Sequence, residues 1–123
     1  MLRLLIADKP KDNCDDQIGL FSELGFAVSM SSSTLDTLAR CEASLPDLLI
    51  VDSALEGALE LIAAIRLIPG GRDVHVLYGV AEADLRKLMA AKYAGVDDFL
   101  LKPYETKVLH ALFDEMLARS AAA

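Results

Sequence analysis

Short apolar runs alternate along the chain with segments whose apolar residues recur every three or four positions. Residues 2–7, LRLLIA, form the first such run and predict a buried strand. Over 12–24, Leu20, Phe21 and Leu24 recur at helical spacing, with Asp12 as N-cap and Gly25 as stop. FAVSM (26–30) predicts a short second strand. SSSTLDTLARCEA (31–43) predicts a helix opened by Ser or Thr, with Leu35, Leu38 and Ala39 inward. After Pro46, DLLIV (47–51) predicts a third strand that is apolar on both faces.

The second half repeats the alternation. LELIAAIRLI (59–68) predicts a helix that stops at Pro69-Gly70-Gly71. VHVLY (74–78) predicts the fourth strand. EADLRKLMAAKYA (82–94) predicts a helix with Leu85, Leu88 and Met89 on one face, closed by Gly95. DDFLL (97–101) predicts the fifth strand, and ETKVLHALFDEMLAR (105–119) the last helix, with Val108, Leu109, Leu112, Phe113 and Met116 inward. Five strands and five helices in strict alternation imply βαβ units. Right-handed crossovers then give a parallel sheet covered by helices on both faces. No linker or repeat divides the sequence, so residues 1–123 read as one domain with a core over 2–119 and a low-complexity tail over 120–123.

Composition narrows the function. At 123 residues with 54% hydrophobic content the chain can build a core of its own and is not disordered. Its formal net charge of −7 argues against nucleic acid as a partner. It has no apolar run long enough to cross a bilayer and no signal-peptide pattern, which points to a cytoplasmic protein off the membrane. Cys14 and Cys41 lack CxxC spacing and read as free thiols. His75 and His110 lie far apart, in no ligand motif, and read as structural or surface residues.

In an open parallel sheet the site lies beyond the carboxyl ends of the strands. Three groups of interest fall there: Asp8 and Lys9 after the first strand, Asp52 after the third, and Lys102-Pro103 after the fifth. An Asp after a strand is commonly a turn residue and a Lys-Pro commonly a loop; three such groups on one sheet edge are harder to assign to chance. Phosphate-loop, dinucleotide and nucleophile-elbow motifs are absent, so nothing supports an enzyme.

These residues resemble a response-regulator receiver domain over 2–119. The resemblance rests on the five βα units, on Asp52 after DLLIV, on AGVDDFLLKP before the last helix, and on LGF before the second strand. It implies a flavodoxin-like (βα)5 fold with sheet order 2-1-3-4-5. It also implies Asp52 as phosphoacceptor from a histidine kinase, and Lys102 as its partner. Pro103 would follow a cis peptide bond, and Phe99 would be a switch aromatic. The family's pair of metal-binding acids falls on Asp8 and Lys9, so Asp8 is a weak Mg²⁺ candidate and Lys9 replaces the second acid. Val80 stands where the family has a phosphate-binding Thr or Ser, and the loop SALEGALE after Asp52 is shorter than the family's.

The charge count follows from these departures. The family's site has three carboxylates and one lysine, a deficit that suits one Mg²⁺. Here two carboxylates meet two lysines and the sum is zero. Either the Lys9 ammonium lies against Asp8 or Asp52 in place of a metal, or it points into solvent; both readings predict weak Mg²⁺ binding and no required cofactor. The expected function is a degenerate receiver that acts through protein contacts in a bacterial two-component pathway. Its partner would be a histidine kinase or an output protein. The expected contact face is the fourth helix, fifth strand and fifth helix, with Arg86, Lys92, Tyr93, Tyr104 and Lys107. The alternatives are a working phosphoacceptor receiver and a small-molecule binder on the same fold. Oligomeric state is not legible.

Overall fold

The apolar runs and the helical segments become five parallel strands and five α-helices in strict succession. The structure, a computed structural model, describes residues 1–9 and 14–122. Its elements are β1 (Arg3–Ala7), α1 (Cys14–Leu24), β2 (Ala27–Ser31), α2 (Thr34–Ala43), β3 (Leu48–Asp52), α3 (Ala58–Leu67), β4 (His75–Val80), α4 (Leu85–Ala94), β5 (Asp98–Leu101) and α5 (Thr106–Ala122). A short 3₁₀ turn over Gly71–Asp73, which the pattern does not predict, joins α3 to β4. The sheet order is β2-β1-β3-β4-β5, as expected. The expected N-cap, Asp12, and the Cys14 thiol lie outside the described residues. Helix α5 continues into residues 120–122, so most of the expected tail is helical.

Two apolar layers sandwich the sheet. Alternate residues of the strands face opposite sides. Leu5, Ala7, Leu49, Val51, Val76 and Tyr78 face one side, where α2, α3 and α4 cover them with Cys41, Ile62, Ile65 and Ala91. Leu4, Ile6, Leu48, Ile50, Leu77 and Leu100 face the other, against Phe21 of α1 and Leu109 and Phe113 of α5. Every residue of β3 is buried, which explains its unbroken apolar run. Phe21, Phe26 and Phe113 meet edge to face, with centroids 5.5–6.5 Å apart, and fix how α1 and α5 lie on the sheet.

The helical faces are partly rotated from those expected. On α2 the inward residues are Thr37, Cys41 and Leu38, while Leu35 and Ala39 are exposed. Thr37 reads as polar in the sequence, but its hydroxyl donates to the Ser33 carbonyl (2.7 Å) and shares a hydrogen bond with the Ser31 hydroxyl (2.9 Å), so it is buried at little cost. On α4 the buried position is Ala91, with Leu88 partly buried; Leu85 and Met89 are exposed. On α5 Val108 is also exposed. Hydropathy alone ranks Leu and Val above Ala and Thr, and close packing here prefers the small residues.

One side chain pins the far end of the fold. Arg66, in the last turn of α3, donates to the carbonyls of Gly95, Gly71 and Val74 and to the Asp97 carboxylate, at 2.6–3.0 Å. Asp97 also accepts from the Val76 backbone N–H at 2.8 Å. Gly95 closes α4 with φ +115°, and a Cβ there would lie 2.9 Å from Arg66 Cγ. Glycine is therefore required on two grounds, its dihedral and its room.

The rotated faces are testable. Phe113→Ala should destabilise the fold by about 3–5 kcal/mol, as for a large buried aromatic. Leu35→Ala, on an exposed site, should change it by less than about 0.5 kcal/mol. Equilibrium unfolding in urea measures both.

Candidate functional site

The sheet order places β1 beside β3 at its centre, with the chain leaving the two strands toward opposite flanks. That is the switch point of an open α/β sheet, where the loops part and leave a crevice. Asp8 follows β1 and Asp52 ends β3, so both carboxylates arrive at that crevice. Their residues are 2% and 3% exposed. Two carboxylates so deeply buried repel each other unless a cation joins them.

Lys102 supplies it. It follows β5, and its backbone N–H donates to the Val80 carbonyl (2.8 Å), which holds the chain beside β4. The Lys102–Pro103 peptide is cis, as expected. The Lys102 ammonium lies 3.0 Å from Asp8 Oδ2 and 2.5 Å from Asp52 Oδ1. The three residues expected at one edge of the sheet thus form one ion-pair cluster. Backbone donors add to it: Lys9 N–H to Asp8 Oδ1 (2.7 Å) and Ala54 N–H to Asp52 Oδ2 (3.1 Å).

Lys9 carried two readings, and one of them is corrected. Its side chain is exposed and joins no ion pair among the described residues; only its backbone touches Asp8. The reading of Lys9 as an ammonium tethered in place of a metal does not hold, because Lys102 already lies between both carboxylates. The solvent-facing reading does. Val80 ends β4 with its side chain 5% exposed in the α2–α3–α4 layer, so it offers that edge no hydroxyl. Phe99 pairs with Tyr78 across β4 and β5 and packs, half-buried, against the same layer.

Tyr104 is a second correction. It was expected on the contact surface, but its ring packs inside the α1–α5 layer, 5.9 Å from Phe21. Gln17 reaches the site as well: its Nε2 lies 3.5 Å from Asp8 Oδ2. Gln17 stands one turn before Phe21, so the inward stripe of α1 was its signal. Gly79, paired in register with Asp52, falls just past the expected fourth strand (74–78) but inside β4, where a glycine often marks a close approach.

Asp8 and Asp52 are the two carboxylates that would hold a Mg²⁺ ion, and among the described residues no group of three His, Cys, Asp or Glu is present to do so. The two share the Lys102 ammonium, whose positive charge a bound cation would meet.

No protein-family model matches the chain. The cyclic di-GMP phosphodiesterase response regulator RpfG of Xanthomonas campestris is 36% identical over 85 residues, covering 68% of this chain and 22% of that protein. The crystal structure of a putative response regulator from Chloroflexus aurantiacus superposes with TM-score 0.84 at 28% identity, covering 95% of this chain and 98% of that one. The chain belongs to the response-regulator receiver domains. The receiver domain of the Pseudomonas aeruginosa sensor histidine kinase PA1611, with a magnesium ion coordinated in its active-site cleft, has the same fold at TM-score 0.80 and 20% identity, covering 93% of this chain and 95% of that one. The chain spans about a fifth of the length of the Xanthomonas protein. Receiver domains are signalling modules that meet histidine kinases or output domains. No helix among the described residues is long and apolar enough to cross a membrane.

The two lysines of this receiver should separate cleanly. Lys102→Met strands two buried carboxylates beside each other and should cost about 3 kcal/mol. Lys9→Met should change stability by less than about 0.5 kcal/mol. Urea melts of the two variants at neutral pH check the contrast.

Proposed function

We propose that this receiver works mainly as a protein-interaction module, with weak or absent Mg²⁺-dependent phosphorylation of Asp52. The observation that carries the reading is the short complement of carboxylates. Lys102 bridges Asp8 and Asp52, at 3.0 and 2.5 Å, and a third carboxylate is missing where Lys9 stands. Phosphoryl transfer depends on positioning and on neutralising charge as it develops. A site with two carboxylates instead of three and without a hydroxyl at the end of β4 has weaker means of doing so.

The contact face fits α4, β5 and α5. Leu85, Met89 and Tyr93 recur along α4 at one turn each, and are 71%, 54% and 91% exposed. Leu101 of β5 and Val108 of α5 are also exposed. Exposed apolar residues at helical spacing mark a docking face more often than a bare surface does. Helix α4 carries Arg86, Lys87 and Lys92 and no acid, on a chain of net charge −7. Lys107 opens α5 on the same side of the sequence. Such a face suits an acidic, apolar surface on a histidine kinase or an output protein.

A working phosphoacceptor is the second reading. The Lys102–Asp52 contact favours it, since that aspartate keeps its partner at the strand end. Small-molecule binding has no comparable support.

Labelling decides between the first two. After incubation with a small acyl phosphate and Mg²⁺, intact-mass spectrometry should find wild type no more phosphorylated than Asp52→Asn. Stoichiometric labelling of wild type on Asp52 overturns the interaction-module reading. A second expectation concerns the missing acid. Lys9→Asp restores a third carboxylate, so its melting temperature should rise with added Mg²⁺ by more than that of wild type. Equal responses would show that position 9 does not limit metal binding.

A further inference from the structure

Tyr104 has a hydroxyl that neither the fold nor the ion pair explains. The residue lies on the turn between β5 and α5, and its ring fills space in the α1–α5 layer beside Phe21. A phenylalanine would fill the same space. Yet Tyr104 Oη is buried and has no hydrogen-bond partner among the described residues. An unmet buried hydroxyl is costly, so its position calls for a reason.

Its neighbours supply one. A Cβ at Gly79 would lie 2.4 Å from Tyr104 Oη and 3.7 Å from Lys102 Cε. The hydroxyl therefore occupies the room that any other residue at position 79 would fill. Gly79 pairs in register with Asp52, and residues in register on neighbouring strands project to the same face. The phenol thus reaches the sheet beside Asp52, under the stem of Lys102, whose ammonium is 5.9 Å from the ring centroid. The Asp52 carboxylate still has acceptor capacity. Oδ1 meets Lys102 and Oδ2 accepts from Ala54 N–H, and each oxygen carries a further lone pair.

We propose that Tyr104 is a positioning residue of the Asp8–Asp52–Lys102 cluster. Its hydroxyl, admitted by the bare face of Gly79, donates through one water to the Asp52 carboxylate. A polar pair too far apart for direct contact is joined in this way at little cost. The donor comes from below the cluster, from a residue on the β5–α5 turn, and so does not depend on a side chain of β4. The phenol also senses the cluster's charge: burial raises its pKa, Lys102 opposes the rise, and Asp52 and Asp8 add to it. The proposal rests on Asp52 being the centre of the site, and not on whether Asp52 is phosphorylated.

The test uses the unmodified full chain. Tyr104→Phe, Asp52→Ala and the double variant form a thermodynamic cycle read by thermal melting. In the same set, ¹³C at tyrosine Cζ is followed by NMR. The chain has three tyrosines, so the signal missing from Tyr104→Phe assigns Tyr104. Tyr104→Phe should lower the melting temperature of wild type by about 4 °C, the size of a single net hydrogen bond in a domain of this length. It should have little effect when Asp52 is already Ala. The Tyr104 Cζ signal should move in Asp52→Ala, while that of exposed Tyr93 stays. Gly79→Ala should move the Tyr104 signal too, and should destabilise wild type more than it destabilises Tyr104→Phe. If Tyr104→Phe leaves the melting temperature unchanged or raises it, the hydroxyl is an unpaired passenger on an apolar ring and the proposal is overturned. Additive effects in the cycle, or a Tyr104 signal unmoved by Asp52→Ala, overturn it equally. Labelling of Asp52 by an acyl phosphate would change the functional reading and leave this result as it stands.

Discussion

Everything at the carboxyl edge of the sheet depends on one ammonium held between two nearly buried carboxylates. Asp8 and Asp52 are brought together by the adjacency of β1 and β3, which the alternating chain enforces. Two ionised carboxylates in that position are not tolerated alone. Their counter-ion, Lys102, follows β5, two strands away from β3, so the order of the strands must be right for it to bridge them. The backbone donors of Lys9 and Ala54 then set the carboxylate rotamers. Packing alone would permit a different residue at each of these places; the charge cluster does not.

Much of this was legible in the sequence. The strict strand–helix alternation gave the class, and Asp8, Asp52 and Lys102 were visible as polar residues placed at the ends of apolar runs. What hydropathy misjudged was rotation of helices. Leu35, Leu85, Met89 and Val108 are more apolar than Thr37 or Ala91, yet they face outward. A buried Thr with two hydrogen bonds, or an Ala against a sheet, is invisible to a scale that ranks residues by transfer alone. The Lys9 side chain was left with two readings for another reason. Sequence adjacency to Asp8 places its backbone but not its side chain, and a side chain following a strand residue points away from it. Gln17 and Tyr104 reach the site across helices and turns, and only the packing against Phe21 brings them there.

The balance of charge on the molecule sets its surface apart from its site. The net charge is negative, but α4 is basic and carries its largest apolar residues outward. The acidic residues of the cluster are spent internally on Lys102. The charged residues at the sheet edge therefore pair inward, while the apolar residues of α4 lie outward beside basic ones.

The Arg66 clamp has a mechanical meaning. It fastens the Gly95 carbonyl, just past the end of α4, to the end of α3 and to the turn before β4. The opposite end of α4 is capped by the Asp84 side chain, and Leu88 seats the helix on the sheet layer. The two ends of α4 are thus secured by different means, a multidentate guanidinium at one and a single carboxylate cap at the other. A partner gripping the outer face of α4 would bear on a helix whose last turn is tied by Arg66 to two loops at the edge of the sheet away from Asp52.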